Sequence, residues 1–191
     1  MKHQPQASRQ RVYDYRRFTF PQEFNEPDNR LEHLLERERE RAFVVVDMQP
    51  YFVHELDPIE RACMILGQQE VIDYCAHAGV PVAVLEFRGQ DNTISEIKEH
   101  IKHVANVHYV TKQNANGFVE TDLAEWLANH ARKEVYVMGV NTSACVKATA
   151  EGALNTGFRI ASASTLIADV YGYPYTGITH RWFTNNGIFF E

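Results

Sequence analysis

Val135-Tyr136-Val137-Met138-Gly139-Val140-Asn141-Thr142-Ser143-Ala144-Cys145-Val146-Lys147 changes character at its midpoint. The first half is a continuous apolar run, the pattern of a strand covered on both faces, and the second half reads as the opening of a helix. A strand passing straight into a helix is half of a βαβ unit. The junction also puts Cys145 at a helix start, where the positive end of the dipole and unpaired backbone N–H groups stabilise a thiolate and can hold an oxyanion. Free cysteine is equally one of the most buried residue types, so the partners of Cys145 decide between a nucleophile and a core thiol.

The same alternation extends on both sides. Apolar runs occupy Ala42–Val46, Val80–Phe87, Val107–Thr111, Val135–Gly139 and Arg159–Ala163. Helical stretches fall between them at Pro58–Ala78, Thr93–His103, Glu120–Ala131 and Ala144–Thr156, with Gly79 and Gly157 placed as stops and a further helix after Pro174. Strands alternating with helices specify an α/β protein, a three-layer α/β/α sandwich around a mostly parallel sheet. In such a fold ligands gather at the carboxyl ends of the strands.

The chain has 191 residues and 45% apolar content, enough for a full core of its own. Nine of the 19 Lys and Arg and eight of the 25 Asp and Glu fall within residues 1–41, so the remainder holds 10 bases against 17 acids and carries −7 of a net −6, the first part being +1. That division predicts two parts. Residues 1–41 read as an arm ending in a short charged helix near Leu31–Arg41, with Phe18, Phe20 and Phe24 as its apolar points, and residues 42–191 form the α/β domain. An acidic body argues against a nucleic-acid partner. No apolar run approaches the ~20 residues a bilayer requires, and Met1–Gln6 lacks a signal-peptide core, so no membrane role and a cytoplasmic location are expected. Three cysteines, Cys63, Cys75 and Cys145, make no even disulfide set, which suits a reducing compartment.

Three reactive residues stand at strand ends. Asp47 follows Phe43–Val46, Lys112 follows His108–Thr111, and Cys145 lies just past the fourth run. Right-handed parallel crossovers open all three ends on one sheet edge, where they share a pocket. The chemistry of the trio is coherent: Asp47 as general base and then acid, Lys112 as a cation that favours the thiolate and holds the carboxylate, and Cys145 as the attacking nucleophile.

With these residues the chain resembles the isochorismatase-like cysteine hydrolases. The resemblance rests on three ordered motifs: Val44-Val45-Val46-Asp47-Met48-Gln49-Pro50-Tyr51-Phe52, then Lys112 with Phe118 six residues on, then Gly139–Ala150 around Cys145. It spans about residues 42–170, and the third motif is closest to the N-carbamoylsarcosine amidase branch. The resemblance implies a sheet of about six strands in Rossmann-like order and an Asp47, Lys112, Cys145 catalytic triad. It further implies a cis peptide at Val140–Asn141, an oxyanion hole from the backbone N–H groups of Asn141 and Cys145, and assembly into a homo-oligomer. Gln49, Phe52 and Phe118 are family-typical pocket positions, with core packing as the competing role for the two Phe.

Departures from the family pattern refine the expectation. Nicotinamidases of this family carry an Asp and two His for a metal after strand two. The corresponding Leu85–Thr93 holds no His. No metal and no cofactor are therefore expected, and nicotinamide is disfavoured as substrate. Glu86 and Arg88, at the end of strand two, either bind a polar substrate or pair with each other. Cys63 and Cys75 read as buried thiols of the first long helix, and His100 and His103 as helix surface.

The function these residues imply is metal-independent hydrolysis of a C–N bond in a small amide, carbamoyl or ureido compound through an acyl-enzyme on Cys145. Two alternatives accompany it: cleavage of a vinyl ether of the isochorismate type without the thiol, and a non-catalytic binding protein on the same fold. A tyrosine-phosphatase loop is excluded because Glu151 stands where its Arg would be.

Overall fold

The computed structural model describes residues 39–172 and 175–190. The expected arm lies almost wholly in residues 1–38, outside the described residues.

Six strands form one sheet: β1 (Arg41–Val46), β2 (Val82–Phe87), β3 (Val107–Lys112), β4 (Glu134–Gly139), β5 (Arg159–Ala163) and β6 (Ile188–Phe190). Every pairing is parallel and the spatial order is β3-β2-β1-β4-β5-β6. Between them run α1 (Pro50–Val53), α2 (Pro58–Ala78), α3 (Ser95–Ile101), α4 (Leu123–Asn129), α5 (Lys147–Asn155) and α6 (Tyr175–Asn186). Strand order reverses between β1 and β4, so right-handed crossovers send helices to opposite faces on the two sides of that point. The result is a doubly wound α/β/α fold.

Apolar content explains the sheet. All six positions of β1 and all six of β4 are buried, as a central strand covered on both faces requires. α2 buries Met64, Ile65, Gln68, Val71, Ile72 and Cys75 and begins on Asp57, whose carboxylate accepts the N–H groups of Ile59 and Glu60. It stops at Gly79 in the left-handed conformation. At the amino end of the sheet, buried Glu134 accepts from Arg41 Nε at 3.3 Å and Arg159 Nε at 3.2 Å.

Several expected boundaries shift for identifiable reasons. Arg41 is the first residue of β1 instead of the last of a charged helix, because its pairing with Glu134 places it in register. β2 starts at Val82, after Pro81, which has no N–H to give a ladder. α4 is shorter than Glu120–Ala131, since Glu120 and Ala131 both take positive φ, 57° and 53°. β6 has three residues, too few to show a period, and its position escaped the sequence reading. Cys75 is buried as expected, but Cys63 is exposed: it shares the outward face of α2 with Ile59 and Leu66. His100 is not simple helix surface either. Its Nδ1 lies 2.6 Å from Asp73 Oδ1, tying α3 to α2.

Candidate active site

The reversal of strand order leaves a crevice between the carboxyl ends of β1 and β4. Asp47 ends β1 on one side of it. Its N–H donates to Leu85 C=O at 3.0 Å, and its φ of 50° lies in the left-handed region that a residue with a side chain rarely adopts. On the other side Gly139 ends β4 with φ 128°, and a Cβ there would come within 2.1 Å of Val46 C=O. Only glycine lets the two strand ends approach this closely.

From β3, next but one to β1, Lys112 reaches across. Its Nζ donates to Asp47 Oδ2 at 2.8 Å and to Asn114 C=O at 3.2 Å, and lies 4.7 Å from the centre of the Phe87 ring. Both side chains of the ion pair are fully shielded from solvent. Asp47 Oδ1 is buried and has no hydrogen-bond partner among the described residues. Burial pushes the Asp47 carboxyl above its ordinary value, and Lys112 opposes that rise.

Past Gly139 the Val140–Asn141 peptide is cis. A π-helical turn, Thr142–Val146, follows before α5 begins. Two N–H groups of the turn, those of Ala144 and Val146, converge on Asn141 C=O at 3.1 Å each. The N–H of Asn141 itself is engaged by no acceptor among the described residues. Cys145 is the fourth residue of this turn and half-buried. Its thiol is pushed up to about 12, first by burial and then by the Asp47 carboxylate, with Lys112 pulling the other way. This corrects the expectation of a helix-start thiolate. Loss of hydration, together with the Asp47 carboxylate, outweighs the pull of an ammonium already paired with Asp47.

Asp47, Lys112 and Cys145, expected at one sheet edge, thus interact with one another. The remaining candidates divide. Gln49 is buried, with its amide wholly occupied by backbone: Nε2 donates to the C=O groups of Phe87 and Asp91, and Oε1 accepts Phe87 N–H at 2.8 Å. It braces the segment after β2. Glu86 does the same from the other end, accepting Thr93 N–H at 2.7 Å, and no ion pair joins it to Arg88. Phe52 packs edge-on to Phe87 with centroids 6.2 Å apart, in line with the Lys112 ammonium. Phe118 stacks at a tilt on Phe158, 5.9 Å away, as core packing.

Asp169 escaped the sequence reading. Its buried carboxylate accepts Ser143 N–H through Oδ2 at 2.6 Å and Tyr171 N–H through Oδ1 at 3.0 Å, pinning the Cys145 turn from the segment that pairs with the end of β4 at Gly139. A signal was present: like Asp47, it stands immediately after an apolar run, Leu166-Ile167-Ala168.

The family model of the isochorismatase domain matches residues 41–177. The chain belongs to the isochorismatase family. Among curated proteins it is similar to streptothricin hydrolase of Streptomyces noursei, 28% identical over 128 residues. That match covers 63% of this chain and 46% of the relative, so it spans less than half of that relative's length. Among solved structures it is similar to the nicotinamidase of Staphylococcus aureus, with TM-score 0.70 and 22% identity over 80% of this chain and 99% of that one. It is also similar to the N-carbamoylsarcosine amidase of Thermoplasma acidophilum, with TM-score 0.68 and 24% identity over 80% and 95%. At these identities the structural likeness is one of fold. Among the described residues no helix is long and apolar enough to cross a membrane.

Proposed function

We propose that this chain hydrolyses a C–N bond of a small amide, carbamoyl or ureido compound by way of an acyl-enzyme on Cys145. The reading is supported above all by one observation: the sealed Lys112–Asp47 ion pair leaves Asp47 Oδ1 without a hydrogen-bond partner among the described residues, beside a half-buried Cys145 on which that carboxylate acts electrostatically. A neutral thiol requires a base at the moment of attack, and Asp47 Oδ1 is that base.

As Sγ bonds to the substrate carbonyl carbon, the thiol proton passes to Asp47 and the carbonyl electron pair moves onto oxygen. The N–H groups of Asn141 and Cys145 receive that oxyanion. Collapse of the tetrahedral species breaks the C–N bond, and the leaving nitrogen takes the proton from Asp47. Water then attacks the thioester, gives a proton to Asp47, and expels the sulfur, which recovers that proton. Lys112 holds Asp47 in place throughout and balances its charge. The proposal assigns no metal, since Leu85–Thr93 lacks histidine. A homo-oligomer in the cytoplasm belongs to the same reading, on the family resemblance and the cysteine pattern.

The deciding experiment is ammonia release from a panel of amides and ureides, with Cys145→Ala as control and mass spectrometry for an acyl adduct. Turnover with an adduct on Cys145 is the expected result. Full activity in Cys145→Ala would refute the covalent route.

A further inference from the structure

Lys112 Nζ has two acceptors, and the second is held from an unexpected side. Asn114 C=O, 3.2 Å from Nζ, is backbone of the loop that leaves β3. That loop is fastened to α5, the helix that continues the Cys145 turn. Thr149, one turn past Cys145 and fully buried, accepts Gly117 N–H at 3.1 Å and donates to Ala115 C=O at 3.3 Å. A single hydroxyl therefore clasps the backbone just beyond Asn114.

Loop and helix meet at distances that only glycine allows. A Cβ on Gly117 would lie 2.3 Å from Leu85 Cδ1 and 3.3 Å from the Thr149 side chain, and one on Gly152, the next turn of α5, would lie 2.1 Å from Asn116 Oδ1. Glycine inside a helix weakens it, so what Gly152 contributes is room for the loop. The loop is also braced in itself. Asn116 Oδ1 accepts Phe118 N–H at 2.9 Å, Val119 N–H donates to Asn116 C=O at 3.2 Å, and the Thr121 hydroxyl donates to Gly117 C=O at 2.6 Å.

We propose that Thr149 is a positioning residue: by clasping Ala115 and Gly117 it holds Asn114 C=O on Lys112, and so keeps the ammonium on Asp47 and in register with the turn that carries Cys145. Its hydroxyl is bonded to the loop backbone, so it acts through Lys112. The inference rests on the amidase reading for its effect on turnover, but not for its effect on the Cys145 thiol. Three titratable groups act on one another here, Asp47 from β1, Lys112 from β3 and Cys145 from its turn. Burial raises both the Asp47 carboxyl and the Cys145 thiol, and Lys112 draws both back. An ammonium without its second acceptor is held less closely to Oδ2, and its pull on both groups weakens. Carboxyl and thiol then both rise further.

Thr149→Val, close in shape but lacking the hydroxyl, tests this against Thr149→Ser, which keeps it. Thr149→Ala takes the place of Thr149→Val where circular dichroism shows the latter unfolded. In Thr149→Val, kcat for ammonia release is expected to fall about tenfold with KM little changed. The acid limb of the activity profile should move to higher pH. Iodoacetamide modification of Cys145 at pH 8, followed on its own peptide by mass spectrometry, should slow by about threefold or more. Thr149→Ser should recover most of each change. A fall in kcat with the acid limb or the alkylation rate unmoved is what lost packing alone would give, and it overturns the inference. Failure of Thr149→Ser to recover the alkylation rate overturns it as well. Alkylation needs no substrate, so slowing in Thr149→Val and recovery in Thr149→Ser, in a chain that releases ammonia from no compound, would leave the role of Thr149 standing and refute the amidase reading. Ammonia release through a Cys145 adduct, with all three readouts unchanged in Thr149→Val, would do the reverse.

Discussion

Lys112 Nζ and Asp47 Oδ2 meet at 2.8 Å with neither side chain open to solvent. Residues 65 apart in the chain form this pair across the width of one intervening strand, β2. A buried pair of this kind contributes little net stability relative to an apolar filling, yet breaking it is costly, because the partner left behind is an unbalanced charge. Lys112→Met is therefore expected to lower unfolding free energy by about 3–5 kcal/mol in chemical denaturation and to abolish turnover. Lys112→Met with Asp47→Asn should recover much of the stability and none of the activity. A double variant no more stable than Lys112→Met alone would contradict the account.

Removing the Asp47 charge should separate thiol reactivity from catalysis. The carboxylate raises the Cys145 thiol, so Asp47→Asn takes away one cause of that rise and leaves Lys112 free to favour the thiolate. Iodoacetamide should then modify Cys145 faster in Asp47→Asn than in the parent at pH 8, while hydrolysis is lost. In the parent, modification should climb with pH toward about 12 with no plateau near neutrality.

The acid limb of the activity profile follows from the same site. Asp47 accepts a proton only when ionised, and burial raises its carboxyl above the ordinary range. Activity should fall with decreasing pH at a point above that of an ordinary carboxylate. A kcat/KM profile flat down to pH 4 would remove Asp47 from the role of base.

Asp169 holds the turn that carries Cys145 through Ser143 N–H, and on the proposed mechanism it acts by position alone. Asp169→Ala unpins Ser143 and Tyr171 N–H groups at once, and misplacement of about 1 Å at the sulfur is enough to lower kcat by about 100-fold. KM should change little. Asp169→Asn, which retains an acceptor oxygen for one of the two donors, should recover part of the loss in kcat.

Gly139→Ala is expected to cost more than about 3 kcal/mol, or to prevent soluble expression, because both the φ of 128° and the 2.1 Å approach to Val46 C=O oppose a Cβ. Circular dichroism melts of the parent and variant measure it.

Much of this architecture can be read from local patterns. Phe43–Val46 and Val135–Gly139 are apolar at every position because central parallel strands are covered on both faces, and burial leaves its mark residue by residue. Asp47, Lys112 and Cys145 were legible because each follows such a run, and parallel topology carries the ends of its strands to one edge. The same topology hides other things. Gln49 looks like a pocket residue until its amide is found on Phe87, 38 positions away, and Asp169 looks like a loop acid until it accepts Ser143 N–H across 26.

The state of the thiol is the clearest case. A helix start is a local feature, and from it a lowered thiol is the natural expectation. Desolvation is not local: it depends on how many groups from distant parts of the chain exclude water from Sγ, and here it pushes the thiol up instead. Periodicity and residue type thus established the sheet, its edge and which side chains meet there. Folding in three dimensions settled which polar groups are occupied by backbone, which face water, and how each holds its proton, because hydrogen bonds and hydration depend on distance in space and not along the chain.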